Sequence, residues 1–330
     1  MTDPISHVNV VSDGDDLLVT WRGGSDDVSV FLSDDPLDAG TQVQPPDSAG
    51  GVRLPNPSGR AYVHLFEPTQ GFIVGAERRI AMDGPSNFRD LGGYPTLDGE
   101  WTRWGQVFRS DGLHALSDRD HELIGELAIT TVFDLRSDGE VEQAPDRLPA
   151  DVRHVHLPMS SDVAQGRSML ERILDGDLPK FDEDDMAAGY LRMLEGFPDF
   201  LSEMLHAVAD GERVLFHCTA GKDRTGITAM TMLGLAGVAD SYILDDYEVS
   251  AHYRAHSAEG TNWFADRIRE AGYDPDDYHA MWGSPRPAMR KTLEGLRRKW
   301  GDHGDYVRSI GVSDDAAGRV RANLRFTNPS

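Results

Sequence analysis

The fold of this chain is decided by residues 214–226, which read VLFHCTAGKDRTG. An apolar stretch typical of a buried strand leads into a loop of small residues, and the loop runs into a helix. Cys218, the only cysteine among the 330 residues, opens the loop, and Arg224 follows it six positions later. A tight loop of this length places the sulfur at its floor and the guanidinium at its rim, with amides and a helix N-terminus facing an anion. The stretch therefore predicts a phosphate-binding loop around a thiolate, which such surroundings stabilise.

The loop residues divide into a nucleophile and a phosphate clamp. Cys218 is the predicted nucleophile, and Arg224 is expected to hold phosphate oxygens through paired N–H donors. The Thr225 hydroxyl is placed to donate a hydrogen bond to the sulfur. We expect phosphate to be bound by the whole run of loop residues, which consists of Thr219, Ala220, Gly221, Lys222, Asp223, Arg224 and Thr225.

The string HCTAGKDRTG, residues 217–226, resembles the signature of a family of bacterial cysteine-dependent phosphatases that act on phosphotyrosine and lipid phosphates. Other stretches resemble motifs of that family in the same order along the chain, namely residues 87–94, 108–110, 133–137, 243–250 and 311–314. The resemblance implies the cysteine phosphatase fold and hydrolysis through a cysteinyl-phosphate. It also implies that His217 and Gly226 support the loop, with His217 fixing the cysteine and loop carbonyls by hydrogen bonds rather than acting as a base.

Three carboxylates compete for the role of the general acid that protonates the leaving oxygen. Asp223, inside the loop beside Arg224, is the favoured one. Asp134 resembles a position suggested for the acid in similar enzymes. Its alternative role is structural, as a pair with Arg136 or as an orienting acceptor for the loop. Asp162, on a loop that follows an extended stretch, is the third carboxylate.

Lys222 bears on the class of substrate. Its ammonium would contact a second phosphate on an inositol ring, or would only offset Asp223. Both readings are open, so phosphotyrosine is the predicted substrate, with phosphoserine, phosphothreonine and phosphoinositides as an open extension. Two other functions remain as alternatives. One is a phosphate-recognition module without turnover, and the other is a rhodanese-type sulfurtransferase, which the complete Cys-x5-Arg-Thr pattern disfavours.

The chain separates into two parts. Residues 1–78 hold short apolar stretches between Gly and Pro pairs, which favours a small antiparallel β-sandwich of the fibronectin or immunoglobulin type. Trp21 is its expected core anchor, and binding of a protein partner is one expected role. Residues 79–330 alternate helical patterns with strands, which indicates an α/β fold with a mostly parallel central sheet flanked by helices.

The predicted catalytic residues lie at strand ends in this second part. Asp134 and Cys218 each follow a predicted strand, and active sites of such sheets lie at the carboxyl ends of strands, so the two residues are expected to share one crevice. Residues 162–193 and 253–299 are interpreted as helical insertions. The part between Met159 and Met193 is predicted to cover Cys218 as a lid.

Composition limits the partners and the compartment. The formal net charge is −24, from 56 acidic against 32 basic side chains, which opposes nucleic acid as a partner because like charges repel. A single cysteine excludes an internal disulfide and a cysteine-based zinc site, and no metal or cofactor is predicted. The sequence displays no signal peptide and no apolar run long enough for a membrane span. The predicted location is the cytoplasm. Export without a signal peptide is the alternative, because members of the family that this chain resembles can leave the cell in this way.

Overall fold

Seven strands in two sheets make up the first part of the chain. The computed structural model describes residues 3–5, 7–25, 27–43, 50–57, 59–159, 169–254 and 262–326. The strands are β1 His7–Asp13, β2 Asp16–Arg22, β3 Ser29–Ser33, β4 Thr41–Gln42, β5 Gly51–Pro55, β6 Tyr62–Glu67 and β7 Gly71–Ala76. All of their pairings are antiparallel, with the order β1-β2-β5 in one sheet and β4-β3-β6-β7 in the other.

The two sheets share one apolar core. In β2, Leu17, Val19 and Trp21 are buried while the residues between them face outward, as the two-residue period of a strand requires. The rest of this core comes from both sheets, and includes Val10, Val30, Val52, Leu54, Val63, Leu65 and Ile73. Trp21 thus lies in the core, as expected. The assignment to a fibronectin or immunoglobulin type stays a prediction.

The second part is α/β. Its main sheet contains β8 Arg89–Asp90, β10 Val107–Ser110, β11 Thr131–Asp134, β12 Arg153–His156 and β13 Val214–His217, in the order β12-β11-β13-β10-β8. Strands β12, β11, β13 and β10 are parallel, and β8 is antiparallel to β10. A separate pair joins β9 Trp101–Thr102 to β14 Arg325–Phe326.

Twelve α-helices accompany this sheet within the described residues. They are α1 Asp118–Glu126, α2 Asp138–Gln143, α3 Met169–Leu174, α4 Glu183–Gly196, α5 Pro198–Ala209, α6 Asp223–Leu235, α7 Asp240–Arg254, α8 Asn262–Glu270, α9 His279–Trp282, α10 Arg286–Trp300, α11 His303–Ser309 and α12 Asp314–Leu324. A 3-10 turn, Pro275–Tyr278, precedes α9. Helix α1 begins with a capping box, in which Ser117 and Asp120 each accept a hydrogen bond from the other's backbone N–H. Across the described ranges we find no helix with the length and apolarity that a bilayer crossing requires.

Successive residues of the central strands enter cores on opposite faces of the sheet. Val132 and Leu215 belong to the cluster that contains Ile124 of α1. Phe133 and Phe216, one position later in the same strands, belong to the cluster that contains residues of α4, α5 and α6. Because both faces are covered, these strands are continuously apolar, and their polar residues appear only where the strands end.

The two parts of the chain meet at a buried junction around Trp104. Its indole N–H donates to the carbonyl of Val74 in β7 at 2.8 Å, and its ring packs against Tyr62 and Ala76. Beside it, Arg60 pairs with the fully buried carboxylate of Asp90 at 2.8 Å. The β-sandwich therefore supplies contacts that the α/β part uses to bury its own polar groups.

A buried histidine predicts acid sensitivity of the fold. The His303 ring packs against Gly234, and within the described residues neither ring nitrogen has a hydrogen-bond partner. Burial, with a smaller effect of Arg297, lowers the pKa of His303 to about 4. The unfolded histidine titrates near 6.5, so stability is complete above pH 6.5 and falls as the pH drops towards 4. The loss is roughly 3 kcal/mol in the free energy of unfolding.

Urea unfolding between pH 4 and 8 measures this dependence. We expect His303→Phe to remove that part of the acid destabilisation, whereas His206→Phe, which changes an exposed histidine, should keep the wild-type slope. Equal slopes for wild type and His303→Phe would contradict the assignment.

Candidate active site

Cys218 lies where β13 ends and the loop begins. Its side chain is buried, and the hydroxyl of Thr225, in the first turn of α6, donates a hydrogen bond to the sulfur at 3.1 Å. Helix α6 begins at Asp223, so its N-terminal amides lie directly after the loop. The partial positive charge of a helix N-terminus favours an anion at this position.

The carbonyl groups of three loop residues accept hydrogen bonds from residues outside the loop. Gly112 N–H donates to the Thr219 carbonyl at 3.2 Å, the Asn87 amide donates to the Ala220 carbonyl at 3.2 Å, and Arg109 donates to the Gly221 carbonyl at 2.7 Å. In a trans peptide the carbonyl and the next N–H point in opposite directions. The N–H groups of the residues that follow these three carbonyls therefore face the other side, where a phosphate would lie.

Gly221 allows this close approach. Its φ is +63°, and a Cβ at this position would lie 2.6 Å from the Ser110 carbonyl oxygen and 2.7 Å from the Asn87 amide nitrogen. Only glycine fits both conditions.

A buried Arg–Asp–Arg cluster supports the loop from behind. Asp246 of α7 accepts hydrogen bonds from Arg89 Nε at 3.0 Å and from Arg109. Burial alone would raise the pKa of Asp246, but the two guanidinium groups lower it below its ordinary value. Burial, together with the charge of Arg89, lowers the pKa of Arg109 to about 10. Two guanidiniums and one carboxylate leave a formal charge of +1 beside the loop, which favours an anion in it.

Arg89 and Asp90 are neighbours in the sequence but have different partners, because successive strand residues point to opposite faces. Arg89 binds Asp246, and Asp90 binds Arg60 and the backbone N–H groups of Gly92 and Gly105. The resemblance of residues 243–250 to a family motif includes Asp246, but nothing in the sequence pairs it with Arg89, 157 positions away.

Arg224 is held by a residue that the sequence analysis missed. The carboxylate of Glu140, in the first turn of α2, accepts from Arg224 Nη1 at 2.6 Å and from Nη2 at 2.7 Å. Burial alone would lower the pKa of Arg224, but the hydrogen bond and charge of Glu140 and the charge of Cys218 raise it. The arginine is thus permanently charged and fixed in orientation beside Cys218.

Asp223, the favoured acid, contacts a helical insertion. Its carboxylate, about one third exposed, accepts a hydrogen bond from the Tyr190 hydroxyl of α4. Tyr190 in turn shares a hydrogen bond of 2.7 Å with the Tyr247 hydroxyl. Burial, with the nearby charge of Asp223, raises the pKa of Tyr190, so the phenol stays protonated and donates. Tyr190 belongs to no recognisable sequence motif, so this contact could not be predicted.

Lys222 is buried and bound to the second insertion. Its ammonium donates to the carbonyls of Met281 at 2.8 Å and Gly283 at 2.9 Å, and it lies 3.4 Å from Asp223. Burial lowers the pKa of Lys222, against the opposing charge of Asp223. The ammonium is thus directed at carbonyls next to α9, and its role in binding phosphate stays a prediction.

Asp134 lies in a buried network beside His217, at the end of β13. Arg136 donates to both of its carboxylate oxygens, from Nε at 2.9 and 3.1 Å and from Nη2 at 2.7 Å. Burial alone would raise the pKa of Asp134, but the His154 ring, 3.8 Å away, and the hydrogen bonds from Arg136 hold it well below the ordinary range. A carboxylate that stays ionised in this way suits the structural alternative better than the role of an acid.

His217 faces the same network. Its Nε2 lies 2.9 Å from Asp146 Oδ2, and its Nδ1 lies 3.4 Å from the Cys218 carbonyl oxygen. Ligand-type atoms of Asp134, Asp146 and His154 lie within 4.8 Å of one another, but Arg136 Nη2 binds both carboxylates, at 2.7 and 2.8 Å. The guanidinium therefore provides the positive charge that a metal ion would bring.

The third carboxylate, Asp162, and residues 160–168 of the predicted lid lie outside the described residues. The described remainder of that segment includes α4, which reaches the loop through Tyr190.

Comparison with known proteins gives a consistent result. A family model described as "Tyrosine phosphatase family" matches residues 80–326. A tyrosine-protein phosphatase of Nostoc commune is 32% identical over 223 residues, which cover 66% of this chain and 73% of that protein. The triple specificity protein phosphatase PtpB of Mycobacterium tuberculosis is 31% identical over 280 residues, which cover 74% of this chain and 98% of PtpB.

Among solved structures, P. aeruginosa TpbA aligns with 64% of this chain and 89% of its own, at 16% identity and a TM-score of 0.28. A TM-score this low does not support the fold assignment, which rests on the strand topology described above. The family model covers the sheet, the loop and the surrounding helices, and the chain therefore belongs to the tyrosine phosphatase family.

Proposed function

We propose that this chain hydrolyses phosphotyrosine through a cysteinyl-phosphate intermediate. The observation that carries the proposal is the loop around Cys218, with the Thr225 hydroxyl on the sulfur and three peptide N–H groups on the side opposite the bonded carbonyls. Such a loop stabilises both a thiolate and the oxygens of a transferring phosphoryl group.

In the first step the Cys218 sulfur attacks phosphorus, the bond to the leaving oxygen breaks, and that oxygen takes a proton from Asp223. In the second step water attacks phosphorus and gives a proton back to Asp223, and the sulfur–phosphorus bond breaks to restore the thiolate. Arg224 and the loop amides stabilise the phosphoryl oxygens in both steps. Asp134 remains ionised and orients the network that contains Arg136 and His217.

We extend the proposal to phosphoserine, phosphothreonine and phosphoinositides as further substrates. The support is the 31% identity to PtpB, a triple specificity protein phosphatase. A reducing compartment, the cytoplasm, suits an enzyme whose only cysteine must stay reduced. The β-sandwich would serve as a binding module for a protein partner.

The test is hydrolysis in EDTA of a phosphotyrosine peptide, a phosphothreonine peptide and a phosphoinositide panel. We expect turnover of the phosphotyrosine peptide without any added metal. Binding of these substrates without turnover would favour a phosphate-recognition module, and sulfur transfer from thiosulfate to cyanide would favour a rhodanese-type enzyme.

The assignment of Asp223 as the acid predicts dependence on the leaving group. With a poor leaving group such as phenol, Asp223→Asn should lower kcat about 100-fold or more, because the leaving oxygen needs a proton. With p-nitrophenyl phosphate the loss should stay below about tenfold, because that oxygen leaves unprotonated. Initial rates on the two aryl phosphates measure the effect, and equal losses on both would exclude Asp223 as the acid.

A further inference from the structure

Two buried tyrosines connect Asp223 to helices α4 and α7. The Tyr190 hydroxyl of α4 donates a hydrogen bond to Asp223 Oδ1, and the Tyr247 hydroxyl of α7 lies 2.7 Å from the Tyr190 hydroxyl. The Tyr247 hydroxyl also lies 3.5 Å from the Met186 sulfur of α4. The two rings pack edge to face, with their centroids 6.1 Å apart. These side chains therefore form one chain of hydrogen bonds that ends at the carboxyl group of Asp223.

The direction of this chain follows from the protons available in it. Each phenol has one proton to donate, and burial, with a smaller effect of the Asp223 charge, raises the pKa of Tyr190 and of Tyr247, so both stay protonated. When Tyr190 donates to Asp223 and Tyr247 donates to Tyr190, every donor meets an oxygen. In the opposite direction Tyr247 would donate only to the Met186 sulfur, which is a weak acceptor. The chain therefore runs from Tyr247 through Tyr190 to Asp223.

The two oxygens of the Asp223 carboxyl group have different surroundings. Oδ1 accepts from the Tyr190 hydroxyl, and the Lys222 ammonium lies 3.4 Å from the same oxygen. A donor and a positive charge both oppose a proton on Oδ1. Across the ranges that the structure describes, we find no hydrogen bond to Oδ2. A proton carried by Asp223 is thus held on Oδ2, the oxygen that remains free to give it away.

We propose that Tyr190 is a positioning residue that keeps the proton of Asp223 on Oδ2, from where it passes to the leaving oxygen. The inference rests on the proposed function of Asp223 as the general acid. In the second step, the proton that the attacking water gives up returns to the same oxygen. We assign Tyr190 no contact with a reacting atom, so its effect on the reaction passes through Asp223.

The test measures kcat/KM of Tyr190→Phe on phenyl phosphate and on p-nitrophenyl phosphate, at the pH optimum of each variant. The substitution removes the hydroxyl and keeps the ring, so the Asp223 carboxyl group can rotate and hold its proton on either oxygen. We expect kcat/KM on phenyl phosphate to fall about 5- to 20-fold, because a misplaced acid protonates the leaving oxygen less well. On p-nitrophenyl phosphate the loss should stay below about twofold, because that oxygen leaves unprotonated.

Tyr306→Phe is the matched control. Tyr306 is also buried, and its hydroxyl donates to the Leu194 carbonyl of α4 at 3.0 Å, so this variant removes another tyrosine hydroxyl that is bonded to the same helix. Its ratio of the two kcat/KM values should equal that of wild type. This ratio does not depend on the fraction of folded protein, so partial unfolding cannot imitate the result expected for Tyr190→Phe.

The outcomes separate the inference from the function on which it rests. A wild-type ratio for Tyr190→Phe, while Asp223→Asn shows the expected dependence on the leaving group, would overturn the inference and leave the phosphatase function in place. Equal losses of Asp223→Asn on the two substrates would overturn the assignment of the acid, and the inference would fail with it. An inactive wild type would overturn the proposed function itself.

A double-mutant cycle tests the route of the effect. In an Asp223→Asn background, Tyr190→Phe should change the ratio of the two kcat/KM values by less than about twofold, because the acid is already absent. A change as large as in the wild-type background would show that Tyr190 acts independently of Asp223, and the inference would fail.

Discussion

Cys218→Ser is expected to abolish turnover of every phosphomonoester, with kcat reduced by roughly 10⁴-fold or more. A serine hydroxyl stays protonated under conditions in which a thiolate forms, and the loop offers no base in contact with this position. The Thr225 hydroxyl donates to the sulfur at 3.1 Å, so it stabilises an anion and removes no proton. The loop itself should persist, because its carbonyls are held by Gly112, Asn87 and Arg109, none of which touches the sulfur.

Two measurements separate loss of the nucleophile from loss of the site. Steady-state hydrolysis of a phosphotyrosine peptide reports turnover, and calorimetric titration of Cys218→Ser with the same peptide reports binding. We expect binding to be retained, because Arg224 and the loop amides are unchanged. Turnover by Cys218→Ser above about one thousandth of the wild-type rate would exclude the cysteinyl-phosphate mechanism.

Asp246→Ala is expected to cost about 3–5 kcal/mol in the free energy of unfolding. The substitution leaves Arg89 and Arg109 buried side by side without their shared carboxylate, and both side chains are fully buried. Arg109 also holds the Gly221 carbonyl, so the loop loses support and the folded fraction should have a reduced kcat.

Asp245→Ala provides the matched control for Asp246→Ala. Asp245 is the preceding residue of α7, is 57% exposed, and pairs with Arg286 on the surface. Exposed pairs contribute little, so this variant should stay within about 1 kcal/mol of wild type. Urea unfolding of the two variants measures the difference, and Asp246→Asn, which keeps the shape, serves if Asp246→Ala does not fold. Equal stability of the Asp245 and Asp246 variants would contradict the support assigned to the cluster.

The sequence predicted those parts of the fold whose signals are local. The loop at residues 217–226 and the alternation of strands with helices depend on neighbours within a few positions, and the structure contains both of them. Strand β5, whose residues GVRLP begin with glycine and end with proline, has a weak local strand signal. It pairs with β2 through a register that only the sandwich as a whole determines.

The contacts around the loop could not be predicted for a related reason. Glu140 reaches Arg224 across 84 positions, and Tyr190 reaches Asp223 across 33. Each of these residues looks like an ordinary member of an amphipathic or capped helix. Glu140 forms a capping box with Ser137. This local role accounts for a glutamate at this position, so the sequence does not reveal that it also binds Arg224. Contacts between the loop and residues distant in the sequence are therefore the part of such a site that one sequence alone cannot predict.

The junction at Trp104 affects how far the chain can be shortened from its N-terminus. The match to the family model begins at residue 80, which invites a shortened chain that omits the β-sandwich. Such a chain would lose the Val74 carbonyl that accepts from Trp104 and the Arg60 guanidinium that neutralises Asp90. Asp90 holds the amides of Gly92 and Gly105, and its neighbour Arg89 belongs to the cluster behind the loop. We therefore expect the smallest unit that folds to be longer than the segment that matches the family model.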